Sequence, residues 1–209
     1  ADQEGGRVQR LSGPGFATIP PASEQATWTP VELEARAQEW GTELAAAGVL
    51  LNLAPVADVV PADKVATNEP IGRLGRGFGP TPEGVAERVA AVVNGLHAAG
   101  VATSAKHFPN LGQVVGNTDF TAGVTDTVTT RDDPALAPYR AAIAAGTETV
   151  MLSTARYALI DPDAPAAFSP AVVAMLREGL GFAGVVVSDD LGVAAAVQDV
   201  PAGERAVRL

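Results

Sequence analysis

The run Gly184-Val185-Val186-Val187-Ser188-Asp189-Asp190-Leu191 ends an apolar, β-branched stretch in two adjacent carboxylates. A buried strand that delivers acids to its end places them where desolvation can tune their protonation, as a nucleophile or proton carrier requires. The same acids could instead cap the next helix, whose N-terminus welcomes negative charge. The octapeptide by itself is compatible with both roles. Lys106-His107-Phe108-Pro109 closes a second apolar stretch, Val101 to Ala105. A lysine and a histidine are costly to bury unpaired, so they are either donors to a polar ligand or solvated at the start of a loop. His97, in the last turn of a helical segment, complements the helix dipole and is read as structural.

Further polar groups fall at comparable places. Asp58 follows the apolar run Leu53-Ala54-Pro55-Val56-Ala57, and Asp2-Gln3-Glu4-Gly5-Gly6-Arg7 sets acids and an arginine in a loop. Gly72-Arg73-Leu74-Gly75-Arg76-Gly77-Phe78-Gly79 is glycine-rich and basic, but its spacing matches neither the dinucleotide nor the P-loop fingerprint, so it reads as a loop presenting an arginine. The stretch from Asn110 to Asp133 lacks periodicity, and loops of that length inside a compact domain tend to be lids or binding loops. It holds Asp119 and Asp126, either of which could stand as a second carboxyl opposite Asp189.

These residues need strands that end together, and the chain is punctuated accordingly. Thr29-Pro30, Thr81-Pro82 and Ser169-Pro170 each place a hydroxyl cap before a proline in a first helical turn, and Glu32 completes a capping box with Thr29. Helical segments then stop at Gly48, Gly100 and Gly146, each followed by a short apolar run. Leu33, Ala37, Trp40 and Leu44 share one helical face, as do Val85, Val89, Val92, Val93 and Leu96. The strands predicted at Val49 to Ala54, Val101 to Ala105, Thr149 to Ser153 and Gly184 to Ser188 are continuously apolar, as in a parallel sheet covered on both faces. The alternation gives an α/β fold. A doubly wound open sheet has the same cadence, but polar groups converging from several strand ends favour a (β/α)8 TIM-barrel-like architecture.

The 209 residues suit one domain over 1–209, just under the size of a complete eight-unit barrel. Ala1 to Gly6 reads as the end of a strand and Gly203 to Leu209 stops in a helix, so the barrel is expected to be incomplete at both ends. A net charge of −10 argues against nucleic acid as a partner. With no cysteine and two histidines, thiolate sites and disulfides are excluded and a multi-histidine metal site is not expected. There is no membrane-spanning run and no visible signal peptide. Compartment (cytoplasmic or extracytoplasmic lipoprotein) and oligomeric state are left open.

Taken in order, Asp2 to Leu11, Leu53 to Val59, Arg76 to Gly79, Lys106 to Pro109 and Ser188 to Leu191 resemble successive blocks of the glycoside hydrolase family 3 N-terminal domain, and they cover essentially the whole chain. The branch most similar is the bacterial β-N-acetylglucosaminidases. The resemblance implies that Asp189 is the nucleophile of a retaining enzyme that removes terminal β-linked N-acetylglucosamine through a covalent glycosyl-enzyme. Asp2, Arg76, Lys106 and His107 would hold the sugar, and no cofactor would be needed. A general acid/base would lie about 5 Å from the nucleophile.

One block departs from that branch. Its usual loop, Gly-His-Gly-Asp-Thr followed by an Asp-Ser-His element, supplies an aspartate–histidine acid/base dyad. Here the loop reads Asn110-Leu111-Gly112-Gln113-Val114-Val115-Gly116-Asn117-Thr118-Asp119, so Asn117 and Asp119 stand at the dyad positions. Actinobacterial relatives with a Gly-Asn-Thr-Asp loop are similar in this respect. Asp119 is therefore expected to carry the proton, since a carboxyl in a closed loop can have its pKa raised. The alternatives are a β-glucosidase of the same family, which usually has Ser-Asp-Trp in place of Ser188-Asp189-Asp190, and a catalytically inactive sugar-binding homologue.

Overall fold

The computed structural model describes residues 1–209. In chain order the elements are the strands β1 (Gln3–Gly5) and β2 (Val8–Gln9), the helices α1 (Ala22–Gln25) and α2 (Pro30–Ala46), β3 (Leu51–Asn52), α3 (Pro82–Ala98), β4 (Ala102–Phe108), β5 (Thr125–Asp126), α4 (Ala137–Ala144), β6 (Thr149–Leu152), β7 (Arg156–Tyr157), β8 (Asp161–Pro165), α5 (Pro170–Ala174), β9 (Val185–Ser188) and α6 (Ala202–Arg208). The helix starts follow their caps. The Thr29 hydroxyl accepts from Glu32 N at 3.3 Å while the Glu32 carboxylate accepts from Thr29 N at 2.9 Å. Thr81 and Ser169 cap α3 and α5 through Gly84 N and Val172 N. The stops follow their glycines: Gly48, Gly100 and Gly146 have φ of 77°, 77° and 93°, a region that a Cβ disfavours.

The strands β3, β4, β6 and β9 form one sheet in that order, all parallel. Parallel neighbours joined through helices are the repeating unit of a (β/α) barrel, and the fold is TIM-barrel-like. Ala1 runs beside β3, its amine donating to Leu51 O at 2.8 Å and its carbonyl accepting from Leu53 N at 2.7 Å. A single core joins Leu33 and Leu44 of α2, Val85, Val89, Val93 and Leu96 of α3, and Val150 and Leu152 of β6. A smaller sheet, β5-β7-β8, is built from the segments that follow β4 and β6, at the C-terminal end of the main sheet. No helix is long and apolar enough to cross a membrane.

Two strands depart from their predicted extents. The first is realised only over Leu51–Asn52: Val49 N still bonds Leu44 O at the helix stop, and beyond Asn52 the pairing with β4 slips out of register, with Ser104 N bonding Ala54 O and Lys106 N bonding Pro55 O. The second, Val101 to Ala105, continues through Lys106 and His107 to Phe108, because Lys106 pairs with Met151 and Phe108 with Leu152 on one side and Lys106 bridges to Val56 on the other. The Lys-His pair therefore belongs to a strand and not to a loop.

The contact between α2 and α3 rests on an absent side chain. A Cβ at Gly95 would meet Ala37 Cβ at 2.7 Å and Gln38 N at 2.9 Å, and would collide with the carbonyl of Glu34. Gly95→Ala is expected to destabilise the fold by about 1–3 kcal/mol through overpacking, although alanine favours helix. Urea unfolding checks this, and an unchanged midpoint would show that the two helices can separate without cost.

Candidate active site

The C-terminal ends of the barrel strands open into a cleft of about 840 Å³. Asp2, Arg76, Lys106, His107, Asp119 and Asp189 all line it, so the structure brings together the six residues to which the family resemblance and the loop reading gave a role. Asp126 is elsewhere. It is buried, and its carboxylate accepts from Val128 N (2.7 Å), Thr129 N (2.8 Å) and the Thr129 hydroxyl (2.6 Å), which spends its acceptor capacity on a turn. It is not a second carboxyl facing Asp189.

Lys106 lies on β4 with its side chain 2 % exposed, a position that would be costly without anions. Its ammonium reaches Glu4 Oε1 at 2.6 Å and Asp2 Oδ1 at 2.8 Å. Glu4 also takes Arg76 in a two-point pair, Nε and Nη2 both at 2.8 Å, a geometry that only a guanidinium offers. Burial alone would push the Glu4 carboxyl up, but Lys106 and Arg76 outweigh it and hold it at about 2. Burial works against the Arg76 charge as well, yet its bonds to Glu4 raise its pKa above an already high value. The glycine-rich loop thus presents Arg76 to the cleft with its orientation fixed from below.

His107 follows on the same strand. Its Nδ1 lies 2.7 Å from Asp58 Oδ2, and the same carboxylate accepts from Leu111 N at 2.6 Å. A carboxylate on Nδ1 selects the tautomer with its proton there and leaves Nε2 as the acceptor, 3.4 Å from Arg76 Nη2. Asp58 is fully buried and belongs to the site as an orienting group. Its place after an apolar run marked it as chemically interesting, but nothing local tied it to His107. Glu4 was equally hidden, because the sequence Asp2-Gln3-Glu4 does not say which acid faces inward. Alternation along β1 buries Gln3 at the hairpin, where its side chain bonds Leu11, while the Glu4 carboxylate turns to Arg76 and Lys106.

The paired acids separate cleanly. Asp189, at the end of β9, is half-buried on the cleft wall, and its N–H donates to Leu152 O at 2.9 Å. Asp190 is exposed and accepts from Gly192 N at 2.6 Å and Val193 N at 3.0 Å. No helix begins here, so neither acid is a helix cap: Asp190 closes the turn after β9, while Asp189, whose Oδ1 accepts from Asp190 N at 2.9 Å, faces the cleft. Asp119 lines the same cleft and is exposed, on a turn that the Asn117 side chain closes by accepting from Asp119 N at 2.9 Å. Desolvation and the negative charge of Asp189 both push the Asp119 carboxyl up. Two main-chain bonds, Ala195 N to Asp119 O and Ala196 N to Thr118 O, both 3.1 Å, tie this loop to the one after Asp189. The latter is braced in turn by buried Arg205, which donates to the carbonyls of Leu191, Gly192 and Val200. His97 lies away from the cleft and contacts Glu148 at 3.1 Å.

Residues 1–208 match the family described as the glycosyl hydrolase family 3 N terminal domain. A beta-hexosaminidase of Stenotrophomonas maltophilia is 38% identical over 207 residues, covering 93% of this chain and 58% of that protein. Among solved structures, the beta-N-acetylhexosaminidase of Beutenbergia cavernae superposes with a TM-score of 0.97 at 53% identity, over 99% of this chain and 62% of that one. M tuberculosis LpqI gives 0.88 at 34% identity, over 99% of this chain and 61% of that one. The chain thus spans about three-fifths of the length of these relatives.

Proposed function

The chain belongs to the glycosyl hydrolase family 3 N-terminal domain family, and from that membership and the cleft we propose a retaining exo-β-N-acetylglucosaminidase with Asp189 as nucleophile and Asp119 as acid/base. The observation that carries this is the pairing of two carboxyls in unlike environments on one cleft. Asp189 sits on a strand end, and Asp119 is pushed toward its protonated form by desolvation and by Asp189 itself. Environments that separate two acids in this way assign one to attack and the other to proton transfer.

In the first step Asp189 attacks the anomeric carbon while the bond to the leaving oxygen breaks, and the Asp119 carboxylic acid delivers its proton to that oxygen. The products are a glycosyl ester on Asp189 and a free alcohol. In the second step the Asp119 carboxylate takes a proton from water as that water attacks the same carbon, which releases the Asp189 carboxylate. Two inversions give net retention. Lys106, Arg76 and His107 are the donors and acceptor that would hold the sugar hydroxyls during both steps, and their mutual bonds keep them in place before substrate arrives. The names of the B. cavernae and S. maltophilia relatives favour N-acetylhexosamine as the sugar.

The direct test is trapping with a 5-fluoro N-acetylglucosaminyl fluoride, which keeps the C2 acetamido group, followed by peptide mapping of the complete protein. An adduct on Asp189 is expected, and the absence of any adduct would favour a sugar binder without catalysis. A separate prediction concerns Asp119. Asp119→Asn is expected to slow hydrolysis of substrates with poor leaving groups by about 10²–10⁴-fold, and to leave activated aryl glycosides much less affected. Because the acid form of Asp119 does the first step, wild-type kcat/KM should fall as pH rises through its raised pKa, and this limb should vanish in the variant. Equal losses on all leaving groups would remove Asp119 from proton transfer.

A further inference from the structure

The cleft has a deep end and an exposed end. Lys106 and His107 are 2 % and 3 % exposed, whereas Phe120, the residue after Asp119, is 83 % exposed and lines the same cleft. Phe120 also lines an adjoining hollow of about 330 Å³ with Arg7, Glu69, Arg73, Leu74 and Asn117. Burying few of its atoms against the protein, this ring contributes nothing evident to the core, and an aromatic left in solvent beside polar groups is a common contact surface. Arg73 and Glu69 pair with each other at 3.3 Å, which leaves the Phe120 ring and half-buried Leu74 as the apolar surface of the hollow.

Chemistry fixes which part of the substrate meets this surface. A proton donor must stand beside the glycosidic oxygen, so the chain on its outer side faces the leaving group. Resting on the assignment of Asp119 above, we infer that Phe120, with Leu74 behind it, forms the aglycone subsite and selects leaving groups that present a flat, uncharged ring face. The loop bonds from Ala195 and Ala196 to Asp119 and Thr118 hold that platform in a fixed relation to the nucleophile loop. The subsite is thus tied to the loop that follows Asp189. The ring face could belong to an aryl group or to a second sugar, whose axial C–H bonds make a comparable apolar surface.

The test compares three substrates of the same glycone on the complete protein: the 4-nitrophenyl glycoside, the β-1,4-linked N-acetylglucosamine disaccharide, and the glycosyl fluoride, which has no ring to stack. In Phe120→Ala, the kcat/KM ratio of a ring-bearing substrate to the fluoride is expected to fall by about 3- to 10-fold, and Phe120→Tyr should keep it. A fall for the aryl substrate alone, or for the disaccharide alone, supports the subsite and names which ring it takes. Unchanged ratios for both overturn the proposal, as does an equal loss on all three, which would make Phe120 a loop-shaping residue. Hydrolysis of none of the three by the wild-type protein would instead sink the glycosidase reading on which the subsite rests. Phe120 is exposed, so thermal unfolding of the variant should match the parent and serves as the control.

Discussion

Asp189→Gly is expected to lower turnover in the complete protein by about 10⁴-fold or more, and azide is expected to restore part of it with the α-glycosyl azide as product. The reason is positional. Removing the side chain leaves a space at the end of β9 from which a small anion can attack the anomeric carbon on the face that Asp189 would have used. With no second displacement, the product is inverted. Asp119→Gly should give the opposite stereochemistry, because azide then replaces the attacking water on an intact glycosyl-enzyme and yields the β-azide. Product configuration by NMR thus assigns the two carboxyls independently of any rate. Asp190 supplies the contrast: it bonds Gly192 N and Val193 N, so Asp190→Ala should cost about 1 kcal/mol of local stability and far less activity. If Asp190→Gly were the variant that azide rescues, the assignment of the nucleophile would be wrong.

What the chain declared about itself follows the range of the interactions involved. The caps Thr29, Thr81 and Ser169 and the stops Gly48, Gly100 and Gly146 act over three or four residues, and each was readable from its neighbours. So was the delivery of Lys106, His107 and Asp189 to strand ends, because apolar runs ending in polar residues are a local signal. The partners were not readable. Glu4 meets Arg76 across 72 positions, and Asp58 meets His107 across 49. Nothing near Glu4 distinguishes it from Asp2, and nothing near Asp126 distinguishes it from Asp119. In each pair the difference is made by what the fold places opposite the carboxyl. Asp126 meets the N–H groups of its own turn, while Asp119 meets the field of Asp189. The strand end of Lys106 and His107 was displaced for a related reason, since its length was set by bonds to Met151 and Leu152 in a strand that lies far along the chain.

Glu4 carries the second large effect, on stability. Glu4→Gln keeps the shape but leaves Lys106, 2 % exposed, with only Asp2 as a counter-charge, and leaves Arg76 without its two-point anion. Breaking a buried charge cluster from one side costs about 3–5 kcal/mol, because the groups left behind stay desolvated. Urea unfolding at neutral pH should show a loss of that order. The acid behaviour distinguishes this mechanism from simple packing. The Glu4 carboxyl is held at about 2 in the fold, below its unfolded value of about 4.3, so its stabilisation is complete above the unfolded value and is lost as pH falls through about 2. That shift corresponds to roughly 3 kcal/mol. The wild-type protein should therefore lose stability more steeply between pH 4.5 and 2 than Glu4→Gln does, and the two curves should converge at the acid end. Parallel curves would mean that Glu4 carries no charge in the fold. In that case Lys106 and Arg76 would be free to turn into the cleft, and the donors that receive the sugar would have to be ordered by the sugar itself.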